Sequence, residues 1–522
     1  LPQISWRPRP WPLAAAITAT SIAVFASVAG WRGGDLAAHL FRVSMFRTSG
    51  LTLWDPQWYG GHFTLSYSVL YPPIAATLGI ATVTTLSAAF AAWSFAVLGL
   101  HWFGARSHVG ILLFALGTGS QIAIGQLPFL LGESLALAAC VSACNRRWLM
   151  AATLGALATM ASPLVGMFLL LVLATWSLTQ RVDRWRLVAL GVATSAPLAI
   201  TAALFPGVGS FPYPRSDAIL EIVMLAILVF VLPRQHRALR IGGALYLVTM
   251  ILTYCVASPM GGNISRLGES VAIPLAACAL WPTRRRILVA VIVPIALWQW
   301  TPAWPAITTQ TEQPSTHAAY YTPLTNYFEG LSSPPQRVEV VPTKAHFEAA
   351  YVAPRLSLAR GWERQLDTVD NPIFYKSTAL TAASYRTWLL DAGVQYVALP
   401  DAPLDYAAVG EAQLVRAGVP GLTPVFSDAH WQVFHVDGST GLLDGPATIN
   451  TISGDLIEVR VTEPGTVLLR ERYNGNWSIE PQPECFGPDA SGWIVFDATA
   501  SGTYRLRLGL TSTTSAACPA PS

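Results

Sequence analysis

Up to about residue 302 the chain is a series of long apolar blocks broken by short polar turns; beyond it, apolar and polar positions alternate in short segments. The first pattern predicts membrane-spanning helices, the second a folded region exposed to water. The opening apolar stretch, Trp11 to Gly30, follows Arg7 and Arg9 as the core of a signal peptide would, but it is long enough to span a bilayer and reads as a retained first helix. Arginines between the blocks orient them, because basic residues stay on the cytoplasmic side. Arg7 and Arg9, Arg106, Arg146 and Arg147, Arg181 with Arg184 and Arg186, Arg234 with Arg237 and Arg240, and Arg284 to Arg286 share one side. The turns near 125–129, 162–163, 205–216 and 258–270 fall on the other. The block that starts YPPIAATLG at Tyr71 must cross a net once, so its first part is expected as a helix lying at the membrane surface. About eleven crossings result. An odd number puts the N-terminus in the cytoplasm and the C-terminal region outside it.

That C-terminal region divides again. The proline-rich TPAWPAITTQTEQPST opens a linker over 303–336. Residues 337–435 hold the strand-like RVEVV, the helix-like TKAHFEAAYVA and the helix-to-strand run SYRTWLLDAGVQYVALPD, which predict a small α/β unit. Residues 436–522 hold LIEVRVT, TVLLRERY, WIVFDA and TYRLRLGL between glycines, prolines and asparagines, which predict a β-sandwich. The closing TSTTSAACPAPS is expected to be loosely ordered. The fold class is thus a polytopic α-helical membrane protein, its membrane domain over 1–302, with an extracytoplasmic α/β plus β-sandwich domain.

Composition agrees: 52% of residues are hydrophobic, 12% are charged and the mean hydropathy is +0.44. The net charge of +3 is small and the arginines sit in clusters between apolar blocks, which excludes a nucleic-acid surface. Cys140, Cys144, Cys255 and Cys278 fall in helices, where Cys140 and Cys144 are packing residues. Cys485 and Cys518 alone lie in the outer domain, where an oxidising compartment would pair them in a disulfide. The wealth of Ala, Arg and Trp suggests a GC-rich bacterial genome, and hence a bacterial plasma membrane.

Ionisable residues near the membrane carry the chemical signal, because burying them is costly without a partner or a wet cavity. In GGDLAAHLFR, Gly33 and Gly34 break the first helix and Asp35 caps a second, on which Asp35, His39 and Arg42 share a face. An aspartate near a histidine acts as a base, shares a metal or merely caps a helix. Glu133 lies within a helix near its outer end, and Arg266 and Glu269 open another; for each glutamate an interhelical hydrogen bond is the plain alternative to a functional role. Asp35, His39, Glu133, Arg266 and Glu269 all fall on the outer side. The run LWDPQWYGGH crowds Trp54, Asp55, Trp58 and Tyr59 beside two glycines, which suits aromatic stacking on sugar rings or an interfacial belt. Arg360, Trp362, Glu363, Arg364 and Asp367 concentrate groups that grip hydroxyl-rich acceptors or form a surface salt-bridge cluster. His346 and Glu348 are weaker candidates on different helix faces.

The order of elements, a first helix, an outer loop opening with GGD, about ten further helices and an outer C-terminal domain, resembles the GT-C superfamily of integral membrane glycosyltransferases. The texture GGDLAAHLFR, LWDPQWYGGH and LYPP is similar to the bacterial branch described as YfhO-like or 6-pyruvoyl-tetrahydropterin-synthase-related membrane proteins. The resemblance implies a polyprenyl-phosphate-linked sugar donor, a glycan or glycolipid acceptor, and Asp35 as the catalytic base of an inverting transfer. His39 would assist, and Arg266 and Arg42 would meet the donor phosphate. Trp54, Trp58, Tyr59, Glu133, Glu269, Arg360, Trp362 and Glu363 would serve the acceptor or sugar. The chain lacks the second acid or DxD of metal-dependent members, so no cofactor is expected, although Asp35 and His39 could recruit a divalent metal. The alternative is a non-catalytic envelope-assembly scaffold or a lipid-linked saccharide flippase, yet the internal repeat common in transporters is absent.

Overall fold

The computed structural model describes Ile4 and residues 10–180, 183–281, 284–333, 336–376, 379–510 and 518. Arg7, Arg9, Arg181 and all of TSTTSAACPAPS except Cys518 lie outside the described residues. The chain forms two compact units: Leu1–Leu36 with Leu65–Glu312, and Ala37–Thr64 with Gln313–Ser522.

The first unit is helical. Helix α1 (Pro10–Val28) is followed by the start of α2 (Gly34–Ser49), whose remainder belongs to the second unit. Then come α3 (Tyr71–Leu78), α4 (Ile80–Phe103), α5 (His108–Ile124), α6 (Leu127–Cys144), α7 (Trp148–Ala161) and α8 (Pro163–Thr179). The series ends with α9 (Arg184–Leu204), α10 (Arg215–Val231), α11 (Arg237–Cys255), α12 (Arg266–Leu280) and α13 (Arg285–Trp300). Among the described residues six helices, α1, α4, α5 with its preceding turn, α6, α9 and α11, are long and apolar enough to cross a bilayer. A seventh is α13 taken with the segment Ala303–Gln310, which bends from it by 58°. Apolar side chains such as Leu13, Phe25, Val192, Leu252 and Leu297 are exposed on these helices, as a lipid-facing surface requires. The protein is a multi-pass membrane protein. The expected crossings number more than these spans because α7, α8, α10 and α12 are shorter, and α10 and α12 carry charges near their N-terminal ends.

Small residues let these helices approach. Ala15, Ala19 and Ala23 of α1 recur every fourth position and pack with Ala88, Ala92 and Ala96 of α4, a spacing that brings two backbones together where lipid offers no hydrophobic gain. Gly79 (φ 86°) separates α3 from α4, so the block expected to hold a surface helix does begin with a distinct short one.

The second unit is built on mixed and antiparallel sheets. Its early segment forms the hairpin β1 (Trp54–Asp55) and β2 (His62–Phe63). The stretch expected as a linker is ordered instead: α14 (Ala303–Pro305) runs on to Gln310 at the end of the first unit, and α15 (Ala318–Glu329) opens the second. Tyr320, Leu324 and Phe328 of α15 are buried at helical spacing, and the Tyr320 carbonyl accepts the Trp431 indole at 2.9 Å. Next come β3 (Arg337–Val340), α16 (Glu348–Tyr351), β4 (Ser357–Leu358), α17 (Arg364–Asp370), α18 (Ala382–Asp391), β5 (Tyr396–Pro400), α19 (Val409–Ala417), β6 (Leu422–Ser427) and β7 (Trp431–Val436). The five strands β3 to β7 form one sheet in the order β4-β3-β5-β7-β6, parallel at β4-β3-β5 and antiparallel beyond.

The C-terminal β-rich part holds β8 (Leu443–Asp444), β9 (Ala447–Ser453), β10 (Leu456–Val461), β11 (Gly465–Arg472), β12 (Trp477–Glu480), β13 (Phe486–Pro488), β14 (Trp493–Ala498) and β15 (Gly502–Leu508). They form two four-stranded sheets, β12-β15-β10-β9 and β13-β14-β11-β8, around a core that includes Val459, Leu469, Trp477 and Phe496. A disulfide joins Cys485 to Cys518.

Candidate functional site

In the first unit the loops before α10 and before α12 fix the start of α12. Phe211 N–H donates to the Ser258 carbonyl at 3.0 Å, and Gly261 (φ 42°) leaves room where a Cβ would meet the Phe211 carbonyl oxygen at 1.9 Å. Tyr246, midway along α11, donates its hydroxyl proton to the Ile264 carbonyl (2.8 Å) and accepts from Gly268 N–H (3.0 Å). These contacts hold Arg266 in place. Its Nη2 lies 3.2 Å from Asp35 Oδ2, and both side chains keep part of their surface, 16% and 17%. Burial pushes the Asp35 carboxyl above its usual value, while the Arg266 charge and hydrogen bond pull it back. The structure thus brings together Asp35 and Arg266, which stood out separately in two distant motifs.

Around it stand residues that the sequence did not single out. Tyr67 hydrogen-bonds Arg266, and Asp35, Arg266 and Glu221 all act electrostatically on Glu269. Glu221 of α10 accepts the Tyr213 hydroxyl proton at 2.6 Å. Glu221 showed the signal that marked Glu133, an acid inside an apolar helix; Tyr67 and Tyr213 had only their place in outer loops to recommend them.

A cavity of about 600 Å³ opens among α4, α6, α8, α10, α11 and α12. Phe95, Trp102, Phe129, Phe168 and Leu225 give it apolar walls, and Leu267, Gly268 and Val271 bring it against the same first turns of α12 that carry Arg266 and Glu269. Glu133 lies in its lining, where its carboxylate accepts hydrogen bonds from Gln121 Nε2 (2.9 Å) and from the Ser270 hydroxyl. It ties α5, α6 and α12 together. The plain alternative considered for Glu133 therefore describes its bonds.

The other predicted residues belong to the second unit, and most are spent on its interior. His39 follows Asp35 by one turn of α2 and is buried, 2% exposed. Arg42, expected at a donor phosphate, forms a buried ion pair with Glu363, and the Glu363 backbone carbonyl accepts the Tyr59 hydroxyl proton at 3.0 Å. Neither Arg42 nor Glu363 is left open for the role expected of it. Trp54, expected to stack on sugar, sits in the sandwich core edge-on to Trp477 and Phe63, with its indole on Glu471 at 3.4 Å. Trp58 is fully buried between Phe41, at 4.4 Å between ring centroids, and His62. Gly361 is required there, since a Cβ would meet the Trp58 side chain at 2.6 Å. The hairpin that carries these aromatics extends the sheet beyond β4: Leu358 N–H donates to the Gln57 carbonyl at 2.8 Å. Trp54, Trp58 and Tyr59 are thus core residues, because their crowding with glycine served close packing.

Arg360 is corrected in the same way. Its guanidinium makes a bidentate pair with Asp367 (3.1 and 2.7 Å), bonds Glu411 at 3.0 Å and lies over the Phe374 ring. Burial pushes it down, but the charges of Asp367 and Glu411 hold it firmly protonated. Glu339 beside them is pushed up by burial and by the Glu411 charge. Trp362 is half-buried ahead of α17. Arg364 pairs with Asp405 at 2.7 Å, and His346 lies 3.4 Å from Asp405 and 3.2 Å from Glu348, from which sequence spacing had set it apart.

No protein-family model matches the chain, and no curated protein matches it. Among solved structures the chain is similar to an arabinofuranosyltransferase, AftD, from Mycobacteria, at 15% identity and a TM-score of 0.46. That match covers 89% of this chain and 42% of the other, so the chain spans less than half of AftD's length. It is also similar to ArnT from Cupriavidus metallidurans bound to undecaprenyl phosphate, at 13% identity and a TM-score of 0.45, covering 83% of this chain and 99% of that one. Likenesses this distant assign no role to any residue.

Proposed function

We propose that the chain is a membrane glycosyltransferase of GT-C type that moves a sugar from a polyprenyl-phosphate donor to a cell-envelope glycan or glycolipid on the extracytoplasmic face of a bacterial plasma membrane. In this reading the N-terminus is cytoplasmic, about eleven helices cross the bilayer, and the second unit is extracytoplasmic. One observation carries the proposal: Asp35 and Arg266 pair at the N-terminal turn of α12, whose next residues line an apolar cavity. A lipid-linked phosphosugar needs that combination, an apolar channel for the tail and a partly open ionic site for the head.

The reaction follows. Arg266, at a helix N-terminus, binds the donor phosphate and releases Asp35 from the ion pair. The freed carboxylate takes the proton of the acceptor hydroxyl as its oxygen attacks the anomeric carbon. The bond from that carbon to the phosphate oxygen breaks, its electron pair leaves with polyprenyl phosphate, and Arg266 stabilises the developing charge. Displacement from the opposite face inverts the anomeric centre. Tyr67 fixes the arginine, and Glu269 lies close enough to orient an acceptor hydroxyl. The mechanism needs no divalent metal, so EDTA should leave the rate unchanged.

The test is polyprenyl phosphate release and sugar transfer by Asp35→Asn, using purified full chain and a panel of polyprenyl-phosphoryl sugars. Transfer lost with the melting temperature retained supports the base role. Unimpaired transfer overturns that role, and no transfer by the parent chain from any donor of the panel favours a scaffold.

A further inference from the structure

The second unit holds a separate cavity of about 250 Å³, formed by the segment after α2, the β3–β4 region and the turn between β9 and β10. About eight waters would fill it at ~30 Å³ each, which suits a single sugar ring with its hydroxyls. Its charged residues are spent: Glu471 accepts from Arg337 (3.1 Å) and Trp54 (3.4 Å), and Arg355 pairs with Glu329 at 2.8 Å. What remains is neutral. The Gln57 carboxamide, the Gln336 Nε2 and the Ser453 hydroxyl have no protein partner among the described residues. Amides and hydroxyls of this kind offer donors and acceptors together, as a ring of hydroxyl groups requires. Met45, Leu442 and Ile452 supply an apolar wall for the C–H face of such a ring.

We propose that this cavity binds a neutral saccharide. A charged sugar or phosphate would meet there a single cation, Arg355, which Glu329 already pairs, and a purely apolar ligand would strand the amide groups. The proposal goes beyond the transferase reading and does not depend on Asp35.

The experiment applies fluorescently labelled full chain in detergent to an array of neutral and acidic glycans, then titrates the retained glycan against Gln57→Ala, Ser453→Trp and Asp35→Asn. Ser453 is exposed on β9, so its replacement blocks the cavity without burdening the core. Retention of a neutral glycan, weakened roughly tenfold or more by either cavity variant with an unchanged melting temperature, supports the proposal. Asp35→Asn should bind as the parent does, which separates this site from the reaction. Retention of no neutral glycan, preference for acidic ones, or binding indifferent to both cavity variants overturns it.

Discussion

At the scale of single residues, two titratable groups make opposite use of their surroundings. Asp35 is lifted by burial against the pull of Arg266, and the proposed mechanism needs it ionised. Transfer should therefore fall as pH drops through this raised pKa, and Asp35→Asn should lose about 10²- to 10⁴-fold in kcat, the span usual for a lost general base. A pH–rate profile in nanodiscs reads the first, single-turnover kinetics the second. His346 is pushed down by burial, but hydrogen bonds with Asp405 and Glu348 prevail and hold it up at about 9. A group raised in the folded state stabilises fully below its unfolded value, about 6.5 for histidine, and that stability is lost as pH rises through the folded value. His346 occupies the left-handed region (φ 53°), so asparagine is the fair replacement. His346→Asn should lower the melting temperature at pH 6 and differ little from the parent at pH 10. An equal deficit at both would show that packing, not charge, is what the histidine supplies.

At the scale of elements, α12 joins the site to the cavity, with Arg266 and Glu269 beside Leu267, Gly268 and Val271 within its first two turns. Val271→Trp should narrow the cavity and raise KM for long-chain donors more than for short-chain analogues, while kcat changes little; an equal effect on both would detach the cavity from the tail. Much of this level was legible in sequence. The apolar blocks are helices, LIEVRVT and WIVFDA are strands β10 and β14, and SYRTWLLDAGVQYVALPD contains a helix, α18, followed by a strand, β5. Asp35 and Arg266 stood out because an unpaired charge beside a membrane is expensive. The aromatics at 54–59 misled because stacking on sugar and packing in a core call for the same side chains. Only burial separates the two, and burial depends on partners that lie some three hundred residues later, such as Leu358 and Glu363 for Gln57 and Tyr59.

At the scale of the molecule, the second unit is discontinuous in sequence, since Ala37–Thr64 belongs with Gln313–Ser522. A fragment of residues 313–522 made alone would lack Trp54 in its sandwich core and the hairpin that extends β4. It should melt at lower temperature and aggregate more readily than the same fragment with 37–64 joined to it, and thermal unfolding of both compares them directly. Residue order also imposes a schedule on synthesis. The early hairpin leaves the ribosome while its counterparts do not yet exist, and at roughly 5–20 residues per second the intervening chain takes on the order of ten seconds or more. Throughout that interval a newly made loop rich in tryptophan awaits its core, so the protein's yield in cells should depend on whatever shields that loop before the last strands arrive.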